Sequence, residues 1–216
     1  MKRTQNGFTI VELMIATAVF SLVMMIIMAS VLQITKMYYR VGTVAKTQEI
    51  TRTITEEISE SIRYSNANIS TVDMLPAPNQ DIPIGDTDTG YFCIGSRRYT
   101  YAVDRQLKTE NPDTLLKQKA HGLWVDEPIS CTVAADLNDA NLTGGREMLG
   151  ENMRLVKLDI LDVTGTDAYQ VQLIVAYGDE DLMELDDDGN KVCKVNVAGA
   201  EFCAVSSITV FAEKRL

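Results

Sequence analysis

The chain opens on a short polar, basic stretch and then turns apolar without interruption. Positions 13–32 form a run of twenty residues without a charge. At ~1.5 Å rise per residue, a helix over that run is roughly 30 Å long, the thickness of a bilayer's hydrocarbon core. Beyond it the pattern becomes periodic. Apolar side chains fall at Ile34, Met37, Tyr38, Val41, Val44 and Ala45, then at Ile50, Ile54, Ile58 and Ile62. These three- and four-residue steps trace one face of a helix. The opposite face carries Lys46, Glu49, Arg52, Glu56, Glu57, Glu60 and Arg63. No proline precedes Pro76, and Gly42 is the only glycine between Gly7 and Gly85. The pattern predicts one helix over 8–64, roughly 85 Å long by the same rise. Its first half spans a membrane and its second half lays an isoleucine stripe on a sheet.

The remainder alternates more than it repeats. Residues 66–88 are rich in Asn, Asp, Pro and Thr and read as loop. Residues 91–103 are strand-like with a break near Gly95, and 105–119 are polar, with Pro112-Asp113-Thr114 able to start a short helix through Leu115 and Leu116. Leu123-Trp124-Val125 suggests a short strand, and 134–150 a helical turn or loop around Gly144 and Gly145. The clearest strand pair is 154–163 with 168–177, joined by Thr164-Gly165-Thr166-Asp167 as a hairpin. Along the first of these strands, Leu155, Lys157, Asp159, Leu161 and Val163 alternate with Val156, Leu158 and Ile160. A last strand covers 204–212. Together these elements predict an α+β fold, a long helix against an antiparallel sheet.

Charge narrows the partners. The formal net charge is −10, and losing Lys2 and Arg3 with a leader takes it to −12. Such acidity argues against a broad nucleic-acid surface. Arg97 and Arg98 are adjacent, and a solvated strand edge explains them better than a basic patch. The two basic residues at the start favour a cytoplasmic N-terminus, although Lys36 and Arg40 flank the far side of the span. Between Phe8 and Leu32 the one ionisable residue is Glu12. A carboxylate inside a span is costly and marks function with a partner.

Gly7 precedes the apolar core, whereas a secretory signal places its cleavage site after that core. Gly7, Phe8, Glu12 and the unbroken apolar helix resemble the class III leader and N-terminal helix of type IV pilins and pseudopilins. The resemblance implies cleavage after Gly7 by a prepilin peptidase and methylation of the new Phe8 amine. It also implies that Glu12, fifth in the mature chain, pairs with the N-terminal amine of a neighbouring subunit. The domains expected are a leader at 1–7, a transmembrane and polymerisation helix at 8–33, its amphipathic continuation at 34–64, and an extracytoplasmic α+β domain at 65–216.

The implied partners are other pilin or pseudopilin subunits, the peptidase, inner-membrane assembly machinery, and the lipid bilayer before assembly. The chain would start in the cytoplasmic membrane and end in a filament at the cell surface. The absence of a helix breaker inside the span, together with domain size, leans towards minor pilins of the W-type or pseudopilins of the J-type. A major pilin is the alternative within the class. Outside it stands an anchored adhesin or DNA-uptake receptor that never polymerises.

Four cysteines, Cys93, Cys131, Cys193 and Cys203, all follow the span. An even count in a noncytoplasmic domain implies two disulfides, and three pairings are possible. A Cys193–Cys203 bridge, leaving Cys93–Cys131, would resemble the disulfide-bounded C-terminal region of many pilins. No Cys-x-x-Cys step supports zinc. Asp186, Asp187 and Asp188 offer oxygen ligands, and some pseudopilins hold calcium near their C-terminal strands. Their spacing does not fit an EF-hand, and a solvated turn is favoured. His121 is the only histidine and has no nucleophile or phosphate motif around it. No cofactor and no enzymatic activity are expected.

Overall fold

The computed structural model describes residues 9–65, 69–72, 89–107, 121–139, 141–186, 189 and 191–215. Among the described residues one α-helix, α1 (Ile10–Tyr64), precedes ten strands: β1 (Ser70–Val72), β2 (Thr89–Ile94), β3 (Arg97–Ala102), β4 (Leu123–Asp126), β5 (Gly145–Glu147), β6 (Met153–Asp162), β7 (Ala168–Tyr177), β8 (Met183–Leu185), β9 (Lys191–Cys193) and β10 (Ala204–Glu213). Strands β1 to β5 form one antiparallel sheet in chain order; β10, β7 and β6 form a second; β8 and β9 pair alone. The molecule is α+β, a long N-terminal apolar helix packed on antiparallel sheets.

The second half of α1 lies across β7 and β10. Strand β10 runs alongside it. Near the strand's start the Phe202 ring meets Tyr39, and just past its end the Arg215 N–H donates to the Arg63 carbonyl at 3.1 Å. Ile54, Ile58 and Ile62 are fully buried here, among Phe92, Tyr99, Leu123, Leu155, Leu158 and Leu173. Each isoleucine taken from water contributes about 1.5–3 kcal/mol. The first large sheet shares this core, and an isolated parallel bridge from Val103 to Leu155 links it to the second. Phe92 and Tyr99, paired across β2 and β3, stack with centroids 4.9 Å apart.

Beside the isoleucines runs a second buried stripe: Thr47, Thr51, Thr55 and Ser59. Each threonine hydroxyl donates to the carbonyl four residues back, at 2.8, 2.7 and 2.7 Å. The short side chains of the stripe let the helix approach the sheet closely; the three threonine hydroxyls are satisfied within the helix itself, whereas the buried Ser59 Oγ has no hydrogen-bond partner among the described residues.

Three local readings change. Strand β6 carries a bulge between Leu155 and Lys157, where Val156 has no Cα partner on β7. The extra residue shifts the pleat, so Leu155 enters the core with Leu158 and Ile160, while Leu161 faces out. Simple alternation had set Leu155 and Leu161 on one face. The segment around Gly145 forms β5 rather than a helical turn. A Cβ on Gly145 would come within 2.4 Å of the Val125 carbonyl oxygen, so only glycine lets this edge strand close on β4. Within the expected loop 66–88, Ser70–Val72 pairs with β2. The short helix expected at 112–116 lies outside the described residues.

Candidate assembly surface

Two parts of the structure are candidates for function: the free half of α1, and the membrane-side edge of the domain where α1 leaves it. From Ile10 to Val41 the large apolar side chains of α1 are exposed all round. The helix is long and apolar enough to cross a membrane, and none of its apolar window is buried among the described residues. No globular core explains this surface; lipid or other helices must cover it.

Glu12 sits at the start of this surface, in the first turn of α1. Thr9 and Glu12 form a capping box. The Thr9 N–H and hydroxyl donate to Glu12 Oε2 at 3.0 and 2.9 Å, and the Glu12 N–H donates to Thr9 Oγ1 at 3.2 Å. A carboxylate here also suits the positive end of the helix dipole. Gly7 and Phe8 lie outside the described residues. The Thr-x-x-Glu spacing is a helix-start signature legible in sequence. Capping within the chain is compatible with the intermolecular role expected of Glu12.

At the domain edge the structure joins Cys193 to Cys203, and elsewhere in the domain it joins Cys93 on β2 to Cys131. The 193–203 loop ends in a 3₁₀ turn, Ala200–Phe202, packed on α1. Below the disulfide a small core of Ala176, Met183 and Cys203 anchors it. A groove of about 370 Å³ between loop and helix is lined by Arg40, Val44, Lys194, Val195 and Val205, among others. Tyr38 and Tyr39 stand beside it on α1 with rings edge to face at 6.2 Å. Only Tyr38 of the two falls in the apolar period of the helix. Paired tyrosines among basic residues just past a span are the overlooked signal.

The remaining candidates resolve into structural roles. Arg98 makes a two-point pair with Asp126, and Arg97 lies 3.4 Å from Glu127 and 3.7 Å from Glu57. Both arginines are thereby paired, so they do not make a basic patch. Buried Arg154 pairs with Asp104 and Glu180, and Lys191 Nζ lies 2.7 Å from Glu180. Burial pushes the Glu180 carboxyl up, but the Lys191 and Arg154 hydrogen bonds and charges outweigh it and lower it below its ordinary value. This clasp ties β6 and the turn after β3 to β9.

His121 is buried edge-on to Trp124, ring centroids 4.6 Å apart. Its Nδ1 is 3.3 Å from Glu147 Oε2, without hydrogen-bond geometry, and neither ring nitrogen has a partner. Glu147 instead accepts the Gly122, Leu123 and Leu149 N–H groups at 2.9, 2.9 and 3.0 Å. That carboxylate closes a backbone turn. Asp186 begins the turn between β8 and β9, accepting the Gly189 N–H at 3.0 Å. Asp187 and Asp188 lie outside the described residues, and among the described residues no three His, Cys, Asp or Glu side chains gather as metal ligands.

Comparison with known families matches residues 2–28 to the prokaryotic N-terminal methylation motif. Neither the curated proteins nor the solved structures give a match to the chain. The matched stretch contains Gly7, Phe8, Glu12 and most of the charge-free run, and from Ile10 onward it lies in the exposed half of α1. The chain therefore carries a type IV pilin-like, prepilin-type N-terminus at the head of an α+β domain.

Proposed function

We propose that this chain is a structural subunit, a minor pilin or pseudopilin, of a type IV pilus or a type II secretion-like filament. The observation that carries the proposal is the continuity of α1. One unbroken helix bears the methylation motif at its start, an exposed apolar half, and a half built into the domain core. Such a part suits a helix that sits first in lipid and then among other helices.

The mechanism has three steps. The chain inserts once, with residues 1–7 inside and 65–216 outside the cytoplasmic membrane. Prepilin peptidase cuts after Gly7 and the Phe8 amine is methylated. The helix then leaves the bilayer sideways into a bundle as Glu12 meets the terminal amine of a neighbour. Both Thr9 bonds end on Oε2 of Glu12, so Oε1 keeps lone pairs for that amine. Apolar lipid contacts are exchanged for apolar helix contacts, so little burial energy changes. The charge pair supplies direction and register. A span without proline or glycine and a long polar-faced continuation favour the larger minor subunits, of the W-type or J-type.

Glu12→Ala tests this. The variant should insert, be processed, and fail to cross-link to neighbouring subunits or reach sheared filaments. Unchanged cross-links and surface function would instead favour a membrane-anchored binding domain that does not polymerise.

A further inference from the structure

The membrane-side edge of the domain is built unlike the rest of an acidic chain. The loop closed by Cys193 and Cys203 reads Lys194-Val195-Asn196-Val197-Ala198-Gly199-Ala200-Glu201-Phe202, with one acidic residue. Three aspartates in a row, residues 186–188, precede it in sequence. Val195, Val197 and Phe202 are exposed, and Phe202 rests on Tyr39 with ring centroids 5.5 Å apart. The buried positions of α1 begin only at Thr47, so this loop reaches further down the helix than the core does. Arg40 on α1 and Lys194, whose Nζ donates to the Asp181 carbonyl at 2.8 Å, line the groove beside it, and Lys36 lies one turn further down α1.

Distance along the helix says what this edge faces. The charge-free run ends at Leu32, and Tyr39 follows seven residues later, about 10 Å up the axis. The headgroup layer beyond the hydrocarbon is roughly 5–8 Å deep on each side. Helical side chains slope back towards the N-terminus, which carries the tyrosine rings down into that layer. Tyrosine, lysine and arginine are the side chains enriched there. A clamped loop with an apolar tip and a cationic rim complements a surface of acyl chains beneath anionic phosphates. The acidic bulk of the chain does not, so this edge sets which way the domain leans.

We infer that the Cys193–Cys203 loop and residues 38–40 of α1 form a foot that rests on the anionic bilayer surface around the span. Val195, Val197 and Phe202 dip towards the acyl boundary, and Arg40 and Lys194 meet lipid phosphates. The inference rests on α1 being a membrane span. It gives the unassembled chain a seated state, which must be released for the helix to leave the bilayer.

The test is hydrogen exchange on the full chain in three settings: detergent micelles, phosphatidylcholine nanodiscs, and nanodiscs containing phosphatidylglycerol. Amides of 194–202 should exchange at least about tenfold more slowly in the anionic discs than in micelles, with zwitterionic discs between. The β6–β7 turn at 164–167, at the far end of the domain, should not change. Arg40→Gln with Lys194→Gln should abolish the lipid-charge dependence, and Val195→Ser with Val197→Ser should remove the residual protection. An intact Cys193–Cys203 bridge and unchanged thermal unfolding show that the variants fold. Equal exchange in discs and micelles would overturn the foot and leave the span standing. Protection that follows chains per disc rather than lipid charge would assign the surface to a second copy and overturn it too. Failure of the chain to enter discs would take the span reading down first.

Discussion

The two halves of α1 are one helix in two solvents. From Ile10 to Val41 every large apolar side chain is exposed; from Thr47 to Ile62 one stripe is buried and the other faces carry charge. The composition follows the solvent. The first half uses Ile, Val, Leu and Met on all sides, which suits lipid or other helices. The second sorts isoleucine and threonine onto one face, which suits a sheet on one side and water on the other. Apolarity alone therefore does not report a core. The same residue type stabilises the domain in one half and serves assembly in the other.

The sharpest way to break that comparison is a matched pair of truncations. Ile58→Ala should destabilise the domain by about 2–5 kcal/mol, because Ile58 is completely buried. Ile26→Ala, in the exposed half, should leave domain unfolding unchanged while weakening filament assembly. Chemical denaturation of the full chain in detergent reads the first quantity. Equal losses from both would mean that the exposed half packs on the domain after all.

The disulfides come next. Cys93–Cys131 spans 38 positions and Cys193–Cys203 spans 10. Loop-closure entropy gives about 4 kcal/mol for the first and about 3 for the second. Replacing each pair by serine should thus cost more in the first case, by denaturant midpoint. The reverse order would show that the small core under 193–203 depends on its bridge for more than chain entropy.

Smaller effects sharpen the buried stripe. Thr51→Val should alter stability by less than about 1 kcal/mol, since the lost hydroxyl bond ends on a carbonyl that the helix already satisfies. A larger loss would give the hydroxyls a packing role beyond self-satisfaction. Acid provides the mildest probe. Glu180 is lowered on folding, so its contribution is present above its unfolded value and fades as pH falls through the folded one. Denaturant midpoints should drop between about pH 5 and pH 3, and Glu180→Gln should flatten that drop. An unchanged slope would remove the clasp from the acid response.

Much of this was legible because the deciding signals are local. The twenty-residue charge-free run, the isoleucine steps and the Thr164–Asp167 turn each fix an element from neighbours in sequence. The β2–β3 break at Gly95 was equally readable; its φ of 63° favours glycine. The misses in the sheets are non-local. Nothing near Val156 announces a bulge, whose cause is the register against β7. Strand β5 is three residues long and exists because β4 offers it an edge. The threonine stripe was hidden by reading threonine as polar, when its hydroxyl is spent inside the helix. The collar around Tyr39 needed the fold to bring residue 202 beside residue 39.

Mass analysis of the N-terminal peptide from material sheared off the cell surface tests the central claim most directly. The account predicts a peptide that begins at Phe8, one methyl group heavier than its sequence, from protein recovered in filaments. A chain that still carries residues 1–7 and is found only as single molecules in the membrane would contradict it.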